Sequence, residues 1–200
     1  MFTARTTLTA ATALVAALTL AGCTATQQNE TENAPAASAS PTAEAVFNDA
    51  DVTFAQMMIP HHEQAIEMSD SLLEKDGVDE QVRELAGQIK DAQQPEIDQM
   101  KDWLDQWGAD ESMGEMGHDM GAMGDGMMSE EDMGRLNDAT GAEASALFLE
   151  QMIMHHEGAI EMAEVQVENG ENPDAVALAE RIIEDQTNEI AEMQDLLAAL

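Results

Sequence analysis

One phrase written twice limits what this chain can fold into. Residues 54–68 read Phe-Ala-Gln-Met-Met-Ile-Pro-His-His-Glu-Gln-Ala-Ile-Glu-Met, and residues 148–162 read Phe-Leu-Glu-Gln-Met-Ile-Met-His-His-Glu-Gly-Ala-Ile-Glu-Met. A second shared phrase follows each copy. Gln93, Glu96-Ile97, Met100 and Leu104 are matched by Gln186, Glu189-Ile190, Met193 and Leu197. His61 and His155 lie 94 residues apart, whereas Gln93 and Gln186 lie 93 apart, so one residue was gained or lost between the phrases. The period is longer than that of solenoid repeats, and it describes a duplicated helical hairpin.

Apolar residues recur with the 3.6-residue helical period in four segments, and a composition rich in Ala, Glu, Gln, Leu and Met supports helix. The first segment runs from Asp49 to Glu74 before Gly77, and the second from Asp79 to Trp107 before Gly108. The third starts near Thr140, where Thr140 and Glu143 have capping-box spacing, and ends at Gly170. The fourth starts at Asn172-Pro173-Asp174, a cap followed by Pro at the first helical position, and runs to the C-terminus. Short turns make each pair an antiparallel hairpin, and two hairpins that bury their apolar faces give an all-α, ferritin-like four-helix bundle. Pro60 and Pro95 fall inside predicted helices and are expected to kink them.

The chain opens like an exported lipoprotein. Arg5 precedes a short apolar stretch, Leu8 to Leu20, that ends in Leu20-Ala21-Gly22-Cys23, which resembles a lipobox with Cys23 as the lipidated residue. Cys23 is the single cysteine, so no intramolecular disulfide is expected. The organisation read from the sequence is a signal peptide over 1–22, a polar tether over 23–46 and a bundle domain over 47–200. Within the domain, hairpin one covers 47–107, a Met/Gly-rich linker 108–139 and hairpin two 140–200, with a short helix near Ser129–Leu136. Acidic residues outnumber basic ones 41 to 7, for a net charge of −34. Such a charge argues against nucleic acid and anionic membrane surfaces as partners, and it concentrates cations.

Phe54, Met58, His61, Ala65, Met68 and Leu72 follow steps of four and three, and Phe148, Met152, His155, Ala159 and Met162 repeat them. Ile59 and His62, like Ile153 and His156, occupy a neighbouring row, so both histidines of each pair fall on the wide apolar face. Burying four imidazoles in one small core is costly unless each finds a partner. Imidazole and thioether together suit a soft or borderline metal, copper(I) best. The candidate ligands are therefore His61, His62, His155 and His156 with Met58, Met68, Met152 and Met162. Met100 and Met193 are additional candidates, and Glu96 and Glu189 are placed to orient imidazole N–H groups. Glu63, Glu67, Glu157 and Glu161 read as a solvated flank. The linker adds Met113, Met116, His118, Met120 and Met123, a thioether-rich run that is not expected to form core but can wrap a copper(I) or silver(I) ion.

The pattern Met-Met-Ile-Pro-His-His-x-x-Ala-Ile-x-Met, followed by Gln-x-x-Glu-Ile-x-x-Met, resembles domain of unknown function family 305 over residues 47–200. That resemblance implies the ferritin-like bundle and the His and Met candidates named above, since some exported members are implicated in copper binding and resistance. The chain departs from the pattern at Met154, where the first copy has Pro60. The leading expectation is a non-enzymatic, lipid-anchored metal binder in the cell envelope that sequesters copper or passes it to a metal-exchange partner. A carboxylate-bridged di-iron oxidase is the alternative. Such sites use Glu-x-x-His, and no Glu stands three residues before any of the four histidines. A metal-free interaction or pH-sensing domain is the third.

Overall fold

In the computed structural model, residues 46–112 and 126–200 are described. Cys23 and the candidate linker ligands Met113, Met116, His118, Met120 and Met123 lie outside them. The described residues form five helices: α1 (Asp49–Leu73), α2 (Glu80–Trp107), α3 (Glu130–Asp138), α4 (Gly141–Asn169) and α5 (Pro173–Ala199). None of these is long and apolar enough to cross a membrane.

Three of the four long helices begin where short polar side chains satisfy the first free N–H groups. Asn48 accepts from Ala50 and Asp51 in a capping box, Asp79 from Gln81 and Val82, and Asn172 from Asp174 and Ala175. The capping box expected at Thr140 does not form. Thr140 is extended, as the capping Asn48 is at α1, but Gly141 opens α4 at φ 58° and the Thr140 side chain makes no cap bond. The short helix α3 is capped by Ser129, with Asp132 bonding back to the Ser129 N–H.

The bundle is built on one central pair. α1 and α4 pack together, α2 packs on α1, and α5 packs on α4. Each hairpin turn lies over the start of the opposite central helix, so α1 and α4 run antiparallel. At one end, buried Asp51 of α1 accepts from the backbone N–H groups of Glu171 and Asn172 and from Gln166. At the other, the Ser145 hydroxyl of α4 accepts from the Asp79 N–H at 3.0 Å. Asp51 and Ser145 occupy the same repeat position, and each ties the partner hairpin down.

α1 and α2 continue without a break through Pro60 and Pro95. Both prolines are on the exposed face, where a missing N–H costs least. Pro60 does not set the two copies apart, because His61 and His155 are equally buried, at 1 % exposure. Met154, its counterpart, is 48 % exposed.

The linker contributes to the core, contrary to the expectation for a thioether-rich segment. Met128 is buried and Met133 partly so, packed with Leu136 against Met68, Phe148 and Met152. The Gln64 amide clamps the Met128 backbone from both sides, donating to its carbonyl at 2.9 Å and accepting from its N–H at 2.7 Å. Just before it, Gly126 takes φ 76°. A Cβ there would stand 2.6 Å from the Met154 carbonyl, so only glycine fits.

Candidate metal centre

The apolar core is divided. One cluster contains Ala65, Met68, Leu72, Ile89, Phe148, Met152 and Met193; the other contains Phe54, Met58, Ile97, Met100, Ala159 and Ile182. The four histidines belong to neither, and along α1 and α4 they fall between them. All four are at most 1 % exposed. The small neighbours Ala65 and Ala159, both fully buried, leave the rings room.

His61 and His155 meet across the α1–α4 seam with ring centroids 3.7 Å apart at 38°. His62 and His156 point outward to the flanking helices. His62 Nε2 donates to Glu96 Oε2 at 2.8 Å, and His156 Nε2 donates to Glu189 Oε2 at 2.7 Å. Each glutamate keeps about a fifth of its side chain in solvent while the imidazole has none. With Nε2–H directed at a carboxylate, the tautomer leaves Nδ1 a bare lone pair. In both residues that Nδ1 is buried without a hydrogen-bond partner. Neither ring nitrogen of His155 meets a partner at good geometry. The Gln93 amide, 3 % exposed, is unpartnered at both its oxygen and its nitrogen.

The electrostatics match. Burial, followed by the nearby His61, His156 and His62, holds His155 well below the usual imidazole range, so its ring is neutral and able to coordinate. On the α2–α5 side, burial and then the charges of Glu96 and Glu189 raise the carboxyl of Asp185. That places all three carboxylates in one neighbourhood beside the layer.

The methionines are regrouped by the fold. Met58 and Met68 lie ten positions apart on α1, about 15 Å along the axis, so one ion cannot reach both. Met58 joins Met100, with Met162 packed beside them, on one side of the layer. Met68 joins Met152 and Met193 on the other. Each group draws on both hairpins, which sequence spacing alone does not reveal. Met162 is half-buried, whereas Met58, Met68, Met100, Met152 and Met193 are fully buried. Glu63, Glu67, Glu157 and Glu161 are exposed, as their spacing indicates.

Among the described residues no three His, Cys, Asp or Glu side chains converge as a ready-made ligand set. The donors here are instead imidazole and thioether, a combination suited to soft ions. The buried nitrogens without partners fit such a group, since coordination would satisfy them.

The chain matches no curated protein. It is similar to solved structures, among them a Streptomyces coelicolor DUF305 protein, with 36% identity over 75% of this chain and 93% of that one (TM-score 0.69). A DUF305 fragment from Deinococcus radiodurans shares 31% identity over 76% of this chain and 98% of that one, also at TM-score 0.69. CopM, solved in its Cu(I)-bound form, shares 30% over 74% and 96% at TM-score 0.62. Its Ag-bound form aligns at TM-score 0.59, with the same 30% identity over 74% and 96%. Residues 51–197 match the family described as a domain of unknown function, DUF305, and the chain belongs to that family.

Proposed function

We propose that this protein is a non-catalytic, lipid-anchored copper(I) binder of the cell envelope, which sequesters the ion or passes it on. One observation carries the reading. Four buried imidazoles are sealed between two methionine-bearing apolar clusters, and the Nδ1 atoms of His62 and His156 have no hydrogen-bond partner there. A purely structural core gains nothing from such a layer, because each unsatisfied buried polar group costs about 1–3 kcal/mol. CopM, a relative at this level of similarity, was solved with Cu(I), Cu(II) and Ag.

In this reading His61 and His155 hold the ion across the seam. His62 and His156 offer Nδ1, held in that tautomer by Glu96 and Glu189. Met58, Met100 and Met162 on one side, and Met68, Met152 and Met193 on the other, supply sulfur. The carboxylate-bridged di-iron alternative is disfavoured because, among the described residues, the carboxylates bonded to the layer are Glu96 and Glu189, each engaged with an imidazole. Cys23, in its lipobox-like setting, would supply the anchor.

The test is a competition titration with copper(I) under reducing conditions, on the parent and on His61→Leu/His155→Leu. The double variant should lose the tightest copper while retaining weaker sites. Equal affinity in both proteins would refute the histidine layer as the site.

A further inference from the structure

We infer that Met57 and Met162 form a soft-metal exchange site at an open cleft, where copper(I) or silver(I) passes between solvent and the histidine layer. The inference rests on the copper reading above and deepens it.

The cleft lies on the seam between the N-terminal half of α1 and the C-terminal half of α4. It has a volume of about 460 Å³, and Phe54, Met57, Met162 and Val165 give it apolar walls. Met57 and Met162 are both half-buried, so their sulfurs belong neither to the sealed core nor to open solvent. Val165 is 58% exposed on its lip.

The repeat provides an internal control. Shifted by one repeat, Met57 corresponds to Gln151 and Met162 to Met68. At that end of the seam the Gln151 amide donates to the Asp132 carbonyl at 2.9 Å, and Ser71 and Lys75 bond to Asn137, so α3 roofs the groove. Met68 is fully buried there. One surface is thus built twice, covered at one end and open at the other. The open end is the one that carries a second thioether in place of an amide.

Two thioethers on different helices lining one apolar cleft suit an ion that accepts few, soft ligands and sheds its hydration readily, as copper(I) and silver(I) do. A hard divalent ion would forfeit its water for nothing. Asp49 lines the cleft, and exposed Glu161 and Glu164 stand on the same stretch of α4, so the surrounding field is attractive to cations. Inward, Met162 packs against the cluster holding Met58 and Met100, and Met58 stands three positions before His61 on α1. Thioethers therefore stand both in the cleft wall and in the buried cluster next along α1 from the imidazoles.

The test is a silver(I) titration of the full chain labelled at the methionine methyls, with resonances assigned individually. The Met57 and Met162 methyls should shift together, along one dose curve, separately from Met113, Met116, Met120 and Met123. Met57→Leu, which keeps volume and apolar character, should abolish the shared curve and slow loading of the histidine layer severalfold. If the imidazole resonances respond while both methyls stay still, or if Met57→Leu loads at the parental rate, the exchange site is refuted and the copper reading stands. If neither imidazoles nor cleft methyls respond, both fall.

Discussion

The two ends of the α1–α4 seam carry the same repeat and are finished differently. At the end where α1 begins, Asp51 gathers the N–H groups of Asn48, Glu171 and Asn172 and the Gln166 amide. At the end where α4 begins, Ser145 takes a single N–H from Asp79, and α3 with Met128 supplies the rest of the closure. The difference shows how a duplicated hairpin divides labour. One end is locked by a buried carboxylate and leaves a cleft beside Met162. The other is locked by added chain and seals Met68. Between them the histidine layer keeps the symmetry, with His62–Glu96 and His156–Glu189 nearly superimposable in chemistry and distance.

Substitution of the two locks separates them most sharply. Asp51→Ala strands buried N–H groups and should cost about 3 kcal/mol, whereas Ser145→Ala should cost about 1 kcal/mol. Chemical denaturation of the two variants measures both, and equal costs would refute the division of labour. Gly126→Ala attacks the chain leading into α3, where it crosses the middle of α4 at Met154, His155 and Gly158. A Cβ at φ 76°, 2.6 Å from the Met154 carbonyl, should cost about 2 kcal/mol and loosen α3. Hydrogen exchange should show the loss of protection centred on α3 and on the stretch of α4 around Met154–Gly158.

The shared layer responds to acid. Burial depresses His155 in the fold, while its unfolded pKa stays near ~6.5. Between those two values the unfolded chain binds the extra proton and the folded one does not. The contribution is therefore flat above about pH 6.5 and falls by about 1.4 kcal/mol per unit as pH drops toward the folded pKa. His155→Leu should remove that acid slope from metal-free protein and raise its stability near pH 5, as read from denaturation midpoints against pH. An unchanged slope would mean that His155 is protonated in the fold. The smallest effect is a control on the exposed side: Gly87→Ala, with nothing within 4 Å of the added Cβ, should stabilise α2 by about 0.5–1 kcal/mol.

Much of this was legible in the sequence because helices announce themselves locally. The period placed His61, His62, His155 and His156 on the buried face, and Asn48, Asp79 and Asn172 start helices because short acceptors suit that role. What was not legible depends on contacts between distant segments. Thr140 fails as a cap because Gly141 turns the backbone the other way. Met58 and Met68, neighbours in the motif, part company because the antiparallel seam pairs each with the other hairpin's sulfur. Met57 has no distinguishing pattern in the sequence, because its repeat counterpart is Gln151, and only the uncovered groove gives it meaning. The Gln64 clamp on Met128 has no sequence signature, since an amide that grips a backbone from both sides looks like any other Gln.

The central claim is that the sealed imidazole–thioether layer, and not the linker alone, holds copper. X-ray absorption of copper(I) bound to a variant with Met113, Met116, Met120 and Met123 changed to Leu and His118 changed to Ala tests it most directly. The account predicts that copper is retained with nitrogen and sulfur together in its coordination shell. Loss of the copper, or a shell of sulfur only, would contradict it.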